Sequence, residues 1–253
     1  MEKLTDSLLQ TTLDFAKQHY GDKQTITGGL VMAHCATVAR QAETIAKQLY
    51  QDVRHDFMPD DTKESIVAII QGALLHDVLN VSACAFEHIA EIASVQIAAM
   101  VADISRDFRL VETKRDMEFR GRLSQSPASA QIVVVADIIC TAGDTLRLID
   151  TAGAAALPRA KKILAQLDGD LLAIHAANKY YVLRLYVHAA RNLLKDISTV
   201  IKDCKAKIKL DKIAAQNTKA IAARIVARKK SERAQKKQES QHAKKHCIDA
   251  DPQ

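Results

Sequence analysis

Residues 66–81, IVAIIQGALLHDVLNV, decide the fold of this chain, because an apolar segment ends there in the adjacent pair His76 and Asp77. The apolar side chains lie almost all round a helix, which predicts that the helix is buried. A carboxylate inside a buried helix is costly unless it has a partner. A bound cation would satisfy both polar side chains, and a plain hydrogen bond between His76 and Asp77 is the alternative.

Two more polar side chains stand in apolar surroundings. His34 lies on the apolar face of a helix predicted for residues 30–50, where a packed core histidine is the alternative to a metal ligand. Asp137 lies within residues 129–140, SAQIVVVADIIC, whose pattern fits either a strand or one face of a helix. Imidazole and carboxylate groups from three segments suit a divalent metal. The candidate metal ligands are therefore His34, His76, Asp77 and Asp137.

The composition favours helix through nearly all of the 253 residues, since Gly and Pro are scarce and Trp is absent. A first amphipathic helix is expected to span residues 4–20, another residues 86–103, and one or two long helices residues 160–208. Turns are expected around Gly143 and residues 151–158, and a break or kink at Gly169. No strand pattern indicates a second catalytic domain, so the chain is predicted to be all-α.

Residues 105–123, SRDFRLVETKRDMEFRGRL, are strongly charged. Such a run usually forms a solvated helix with ion pairs between neighbouring turns. Its cations can instead reach an anionic ligand. The candidates for that role are Lys114, Arg115, Arg120 and Arg122.

The formal net charge of +6 is uneven, because most of the excess lies after about residue 204 and the preceding residues are roughly balanced. A basic tail points to a polyanionic partner such as nucleic acid, and a solvated tail is the alternative. The five cysteines stand singly, which favours a reducing compartment. Since neither a secretion signal nor a membrane span is visible, a cytoplasmic protein is expected.

Four stretches together resemble a known family: residues 15–24, FAKQHYGDKQ; 32–46, MAHCATVARQAETIA; 72–80, GALLHDVLN; and 126–144, SPASAQIVVVADIICTAGD. They are similar to the HD superfamily of metal-dependent phosphohydrolases, most closely to the RelA/SpoT-type (p)ppGpp hydrolase domain and its stand-alone small homologues. The resemblance covers about residues 3–150. It implies an all-helical HD bundle and a metal, usually manganese, held by His34, His76, Asp77 and Asp137.

The chain departs from the family where the attacking water is activated. The family has a Glu-Asp pair there, and this chain has Asn80 and Val81. Thr141 replaces an asparagine that contacts the nucleotide, and Lys23 is retained in a loop that otherwise lacks the family's arginines. The candidate substrate-binding residues are Lys23, Arg115, Arg120 and Thr141, with Asn80 at the place of the catalytic acid.

The sequence thus predicts an HD domain at residues 1–150, a long helical extension at 151–204 and a basic, flexible tail at 205–253. Two functions remain open. The first is a Mn²⁺-dependent phosphohydrolase that acts on a nucleotide or related phosphoester and resembles a (p)ppGpp 3′-pyrophosphohydrolase. The second is a catalytically impaired HD module that binds a nucleotide or, through its tail, nucleic acid. The oligomeric state stays open, and no membrane partner is expected.

Overall fold

The computed structural model describes the backbone of residues 2–52, 66–177 and 180–248, and the regular elements in these ranges are helices. A single antiparallel bridge joins Gln24 to Leu30 in the loop after the first helix. A 3-10 turn, Gly153–Ala156, precedes the ninth helix. The helices are α1 (Glu2–Tyr20), α2 (Val31–Asp52), α3 (Ile66–Leu75), α4 (Val78–Val81), α5 (Phe86–Ile92), α6 (Val95–Ile104), α7 (Glu112–Gln125), α8 (Ala128–Ala152), α9 (Leu157–Ala177) and α10 (Tyr181–Ile248).

The chain divides into two compact units, Met1–Ile201 and Lys202–Gln253. In the second unit the described backbone is helical as far as Ile248. The sequence also predicts a polar loop at residues 51–61, in which Asp60 or Asp61 would cap the next helix. This loop falls largely outside the described residues, although residues 51 and 52 belong to α2. None of the described helices combines the length and apolar character that a membrane span requires.

Helix α3 lies at the centre of the first unit and packs against α1, α2, α6 and α8. Its Ile69, Ala73 and Leu75 side chains are fully buried, as the all-round apolar pattern predicts. The Tyr20 hydroxyl at the end of α1 donates a 2.8 Å hydrogen bond to the Leu74 carbonyl, which satisfies a carbonyl at the buried end of α3. This packing places the residues that follow Leu75 inside the bundle.

The helix predicted at residues 86–103 is in fact two helices, α5 and α6. Ala93 leaves the helical conformation, with φ −121° and ψ −82°. The Ser94 hydroxyl then accepts a hydrogen bond from the Ile97 amide at 3.2 Å and caps the start of α6. A serine at a helix start therefore overrides the continuous apolar pattern.

The ambiguous segment 129–140 is helical and belongs to α8, which begins directly after Pro127. The turn predicted at Gly143 is wrong, because Gly143 lies inside α8. The chain turns instead at Gly153, whose φ of +55° is a conformation that favours glycine. The break predicted at Gly169 is also wrong, since α9 runs through it. A Cβ at that position would collide with the Arg120 guanidinium, so glycine leaves room for this side chain on the surface of α9.

The charged run 105–123 is less solvated than its sequence predicts. Arg106 pairs with Asp116 at 2.6 Å and with Asp170 of α9, and its side chain is only 12% exposed. Arg120 pairs with Asp170 at 3.0 Å. Arg122 donates hydrogen bonds to the carbonyl oxygens at the end of α6, those of Ala102, Asp103 and Ser105. The ion pairs and hydrogen bonds of these arginines therefore hold α7 against α6 and α9.

We expect Asp170→Asn to destabilise the protein by about 3–5 kcal/mol, because it removes the shared acceptor of Arg106 and Arg120 and leaves buried charge uncompensated. Asp168→Asn is the matched control, since Asp168 lies in the same helix, is 48% exposed and, among the described residues, pairs with Arg191. Its effect should stay within about 1 kcal/mol. Urea unfolding of both variants measures the difference, and equal losses would contradict the role given to Asp170.

Candidate metal centre

His76 and Asp77 lie where α3 ends and the short helix α4 begins. The His76 Nδ1 atom lies 2.8 Å from the Ala73 carbonyl oxygen, to which it can only donate a hydrogen bond. In the neutral ring this bond leaves Nε2 as the atom with a free lone pair. Nε2 lies 3.6 Å from Asp77 Oδ2 and 3.9 Å from Asp137 Oδ1. The end of the apolar helix therefore presents a metal-binding nitrogen beside two carboxylates.

His34 of α2 joins the same group from the other side. Its Nε2 lies 2.9 Å from Asp137 Oδ1, and its Nδ1 lies 3.0 Å from Asp144 Oδ2. Asp137 and Asp144 are seven residues apart on α8, so both point toward α2 from the same face of that helix. Helices α2, α3 and α8 thus each bring at least one imidazole or carboxylate to a single point.

The pKa values of this cluster show that it stabilises positive charge. Burial disfavours protonation of His34, but the hydrogen bonds with Asp137 and Asp144 outweigh burial and raise the pKa of His34 to about 10. Burial also opposes ionisation of Asp137, yet the hydrogen bond with His34 and the charge of His76 lower the pKa of Asp137 to about 2. The carboxylates therefore favour a positive charge next to His34 Nε2, where a divalent cation would take the place of the proton.

The donor set fits a divalent metal. One ligand atom each from His34, His76 and Asp77 lie within 4.8 Å of one another. A first-row metal with bonds of about 2.0–2.2 Å brings such donors only slightly closer. Both histidines also have the outer hydrogen bond that orients metal ligands, from His34 to Asp144 and from His76 to the Ala73 carbonyl. The cluster is compatible with metal binding on geometry and on chemistry.

The His/Asp cluster lines a cavity of about 350 Å³. Thr141 lines it and donates a 3.0 Å hydrogen bond to Asp137 Oδ1. Asn80 and Val81 line it as well, and Asn80 Nδ2 lies 3.4 Å from Asp77 Oδ1. From α7, Arg115 lines the same cavity. Three candidates from the sequence, Asn80, Arg115 and Thr141, therefore line the same cavity as the cluster.

Two other candidate substrate-binding residues lie elsewhere. Lys23 is exposed, and its ammonium donates a 2.7 Å hydrogen bond to the His19 carbonyl at the end of α1. Arg120 is held by Asp170 and by the Gln166 carbonyl, 3.3 Å from Nη2. Neither side chain is part of the lining of this cavity.

Asp144 is the member of the cluster that sequence reasoning missed. It accepts the hydrogen bond from His34 and pairs with Arg147 one turn further along α8. The sequence signal that could have identified Asp144 is its spacing: it follows Asp137 by two helical turns, which places both residues on one face of a continuous helix. The turn expected at Gly143 concealed that signal, because a turn there would have ended the shared helix face.

We expect Asp144→Asn to weaken Mn²⁺ binding about 10–100-fold, because the outer carboxylate no longer orients His34 or raises its basicity. Asp150→Asn is the matched control, since Asp150 is exposed on the same helix and should leave the affinity unchanged. Calorimetric titration of Mn²⁺ into both variants measures the difference. Equal affinities in the two variants would contradict the positioning role of Asp144.

Comparison with solved structures relates the described fold to a known one. A structure described as a metazoan ortholog of SpoT that hydrolyzes ppGpp matches with a TM-score of 0.55 and 15% sequence identity, over 72% of this chain and 93% of that chain. No protein-family model matches the sequence, and no similar sequence is found among curated proteins. The predicted all-α fold is thus confirmed: the chain has the helical fold of the SpoT-type hydrolase domain.

Proposed function

We propose that this protein is a metal-dependent phosphohydrolase of the HD type that acts on a nucleotide or a related phosphoester. The observation that carries the proposal is the convergence of His34, His76, Asp77 and Asp137, from three separate segments, in the lining of one cavity. A bound divalent ion, with Mn²⁺ as the first candidate, would supply Lewis acidity to a phosphoryl group and to an attacking water.

The residues of the chain would divide the remaining work. The Ala73 carbonyl and Asp144 hold the two imidazole rings so that each presents Nε2 to the cluster. Asn80 can orient a water molecule by hydrogen bonding, but its amide cannot accept a proton at neutral pH. The chain therefore keeps the ligand set and lacks the general base, which predicts a slow enzyme.

The substrate (p)ppGpp is the first candidate for a test. The solved structure with the same fold is described as hydrolyzing ppGpp, and four stretches of this sequence resemble that class of hydrolase. The replacements Asn80, Val81 and Thr141 are reasons to test other phosphorylated nucleotides alongside it.

The four described cysteines are free, which agrees with the expected cytoplasmic location.

We expect Asp77→Ala to abolish Mn²⁺-dependent release of phosphate or pyrophosphate, because it removes a ligand of the proposed metal. The assay measures both products from a panel of phosphorylated nucleotides that includes ppGpp. Asp150→Ala serves as the control, since it removes an exposed carboxylate from α8 and should retain full activity. Release that persists in Asp77→Ala would show that the products come from another source.

We expect the double variant Asn80→Glu with Val81→Asp to raise the rate about 10²–10⁴-fold, the usual contribution of a positioned general base. Both positions line the cavity, so the new carboxylates would face the cluster. The matched control is Asn80→Gln with Val81→Asn, which has nearly the same size but cannot take the proton. A gain in the control equal to that in the acidic variant would contradict general-base catalysis at these positions.

The alternative function is a catalytically impaired HD module that binds a nucleotide or, through its tail, nucleic acid. The observation that favours it is the charge of the second unit, in which fifteen Lys and Arg stand against six Asp and Glu. Such an excess on a helix suits contact with phosphate backbones.

We expect a chain that ends near residue 204 to lose salt-sensitive RNA binding while the first unit keeps its Mn²⁺ affinity. The reason is that counterion release from phosphates depends on the number of cations in contact with them. Gel-shift titrations at several salt concentrations measure the effect. Binding that survives the truncation would remove the tail from this function.

A further inference from the structure

We propose that Thr141 is a positioning residue for the candidate metal ligand Asp137 and not a substrate contact. Its hydroxyl holds the Asp137 carboxylate within the His/Asp cluster. The inference rests on the proposed metal-dependent function, because it concerns the residues that would hold the metal. It deepens that function by giving another role to a position at which the similar family has an asparagine that contacts the nucleotide.

The direction of the Thr141 hydroxyl distinguishes it from other threonines in the helices. Thr12, Thr145 and Thr151 each donate a hydrogen bond to the backbone carbonyl four residues earlier, at 2.9, 2.7 and 2.9 Å. This is a common bond of a threonine inside a helix. Thr141 donates instead to the side chain four residues earlier, with 3.0 Å between its Oγ1 and Asp137 Oδ1. The hydroxyl is therefore directed at a candidate metal ligand.

The Asp137 carboxylate accepts hydrogen bonds from two helices at the same oxygen. His34 Nε2 of α2 lies 2.9 Å from Oδ1, and Thr141 approaches Oδ1 from α8 itself. To bind a metal through Nε2, His34 has to lose the hydrogen on that nitrogen, and its hydrogen bond with Asp137 then ends. Of these two donors, Thr141 is thus the one that can hold Asp137 both before and after metal binding.

The same bond limits what Thr141 can offer to a substrate. A threonine hydroxyl has one hydrogen to donate, and Thr141 uses it for Asp137. A phosphoryl oxygen of the substrate would need a second donor. The asparagine of the similar family has two N–H donors, so that side chain is not limited in this way. The position therefore retains a polar residue, and its hydroxyl orients a ligand instead of recognising the substrate.

The test is calorimetric titration of Mn²⁺ into the full-length, metal-stripped protein. We expect Thr141→Val to weaken Mn²⁺ binding about tenfold, which is at the lower end of the usual effect of losing an outer hydrogen bond to a metal ligand. The matched control is Thr151→Val, the same change at an exposed threonine of α8 whose hydroxyl bonds to the Arg147 carbonyl. It should leave the affinity unchanged.

Thr141→Ser separates positioning from packing, because serine keeps the hydroxyl and loses only the methyl group. We expect it to retain most of the Mn²⁺ affinity. A packing role would give the opposite order, since valine fills the space of threonine and serine does not. Thr141→Ala, compared with Thr141→Ser, isolates the hydroxyl in the same way should Thr141→Val prove unstable in a thermal melt. Equal affinities in wild type, Thr141→Val and Thr141→Ala, or weaker binding by Thr141→Ser than by Thr141→Val, would overturn the proposal.

The positioning role and the hydrolase activity can fail separately. Mn²⁺ binding that depends on the Thr141 hydroxyl, without product release from any nucleotide, would support the positioning role and reject the hydrolase. Metal-dependent product release combined with equal Mn²⁺ affinities in wild type and Thr141→Val would reject this inference alone. A wild type that takes up no Mn²⁺ would overturn both.

Discussion

The first unit depends on neutralising the polar side chains that α2, α3 and α8 bring into an apolar core. His34 and His76 are buried, and the carboxylate of Asp137 lies between them. Each of these groups alone would oppose folding, because burying an unpaired charge in an apolar core costs free energy. Together they join α2 to α8 and α8 to the end of α3. The interactions that make burial tolerable also bring together a His/Asp cluster that is compatible with metal binding, so the same contacts support the fold and the candidate site.

The candidate ligand residues could be recognised in the sequence because each is a polar residue in an apolar segment. His76 and Asp77 follow an apolar helix, and Asp137 interrupts a run of valine and isoleucine. The local sequence alone therefore identifies these three residues as candidates. The local sequence does not identify Asp144 in this way. It lies in a mixed segment after Gly143, and its role appears only when α8 is seen to continue for two turns beyond Asp137.

The interactions of the charged run could not be predicted, for a different reason. Arg106 and Arg120 look like surface residues until Asp170, far along the chain, is placed between them. Ion pairs between distant segments leave no periodic signal, whereas neighbouring turns of one helix do. Patterns within one segment are therefore visible in the sequence, and pairings between segments are not.

The candidate ligand positions are intact, whereas Asn80 and Val81 stand where the similar family has its acidic pair, so metal binding and activation of water can be tested separately. The central claim is the metal, and the most direct measurement is the metal content of the purified protein and of His76→Ala by mass spectrometry. We predict about one Mn or similar divalent ion per wild-type chain, lost in the variant. A wild type that is purified without metal and takes up no added Mn²⁺ would contradict the claim.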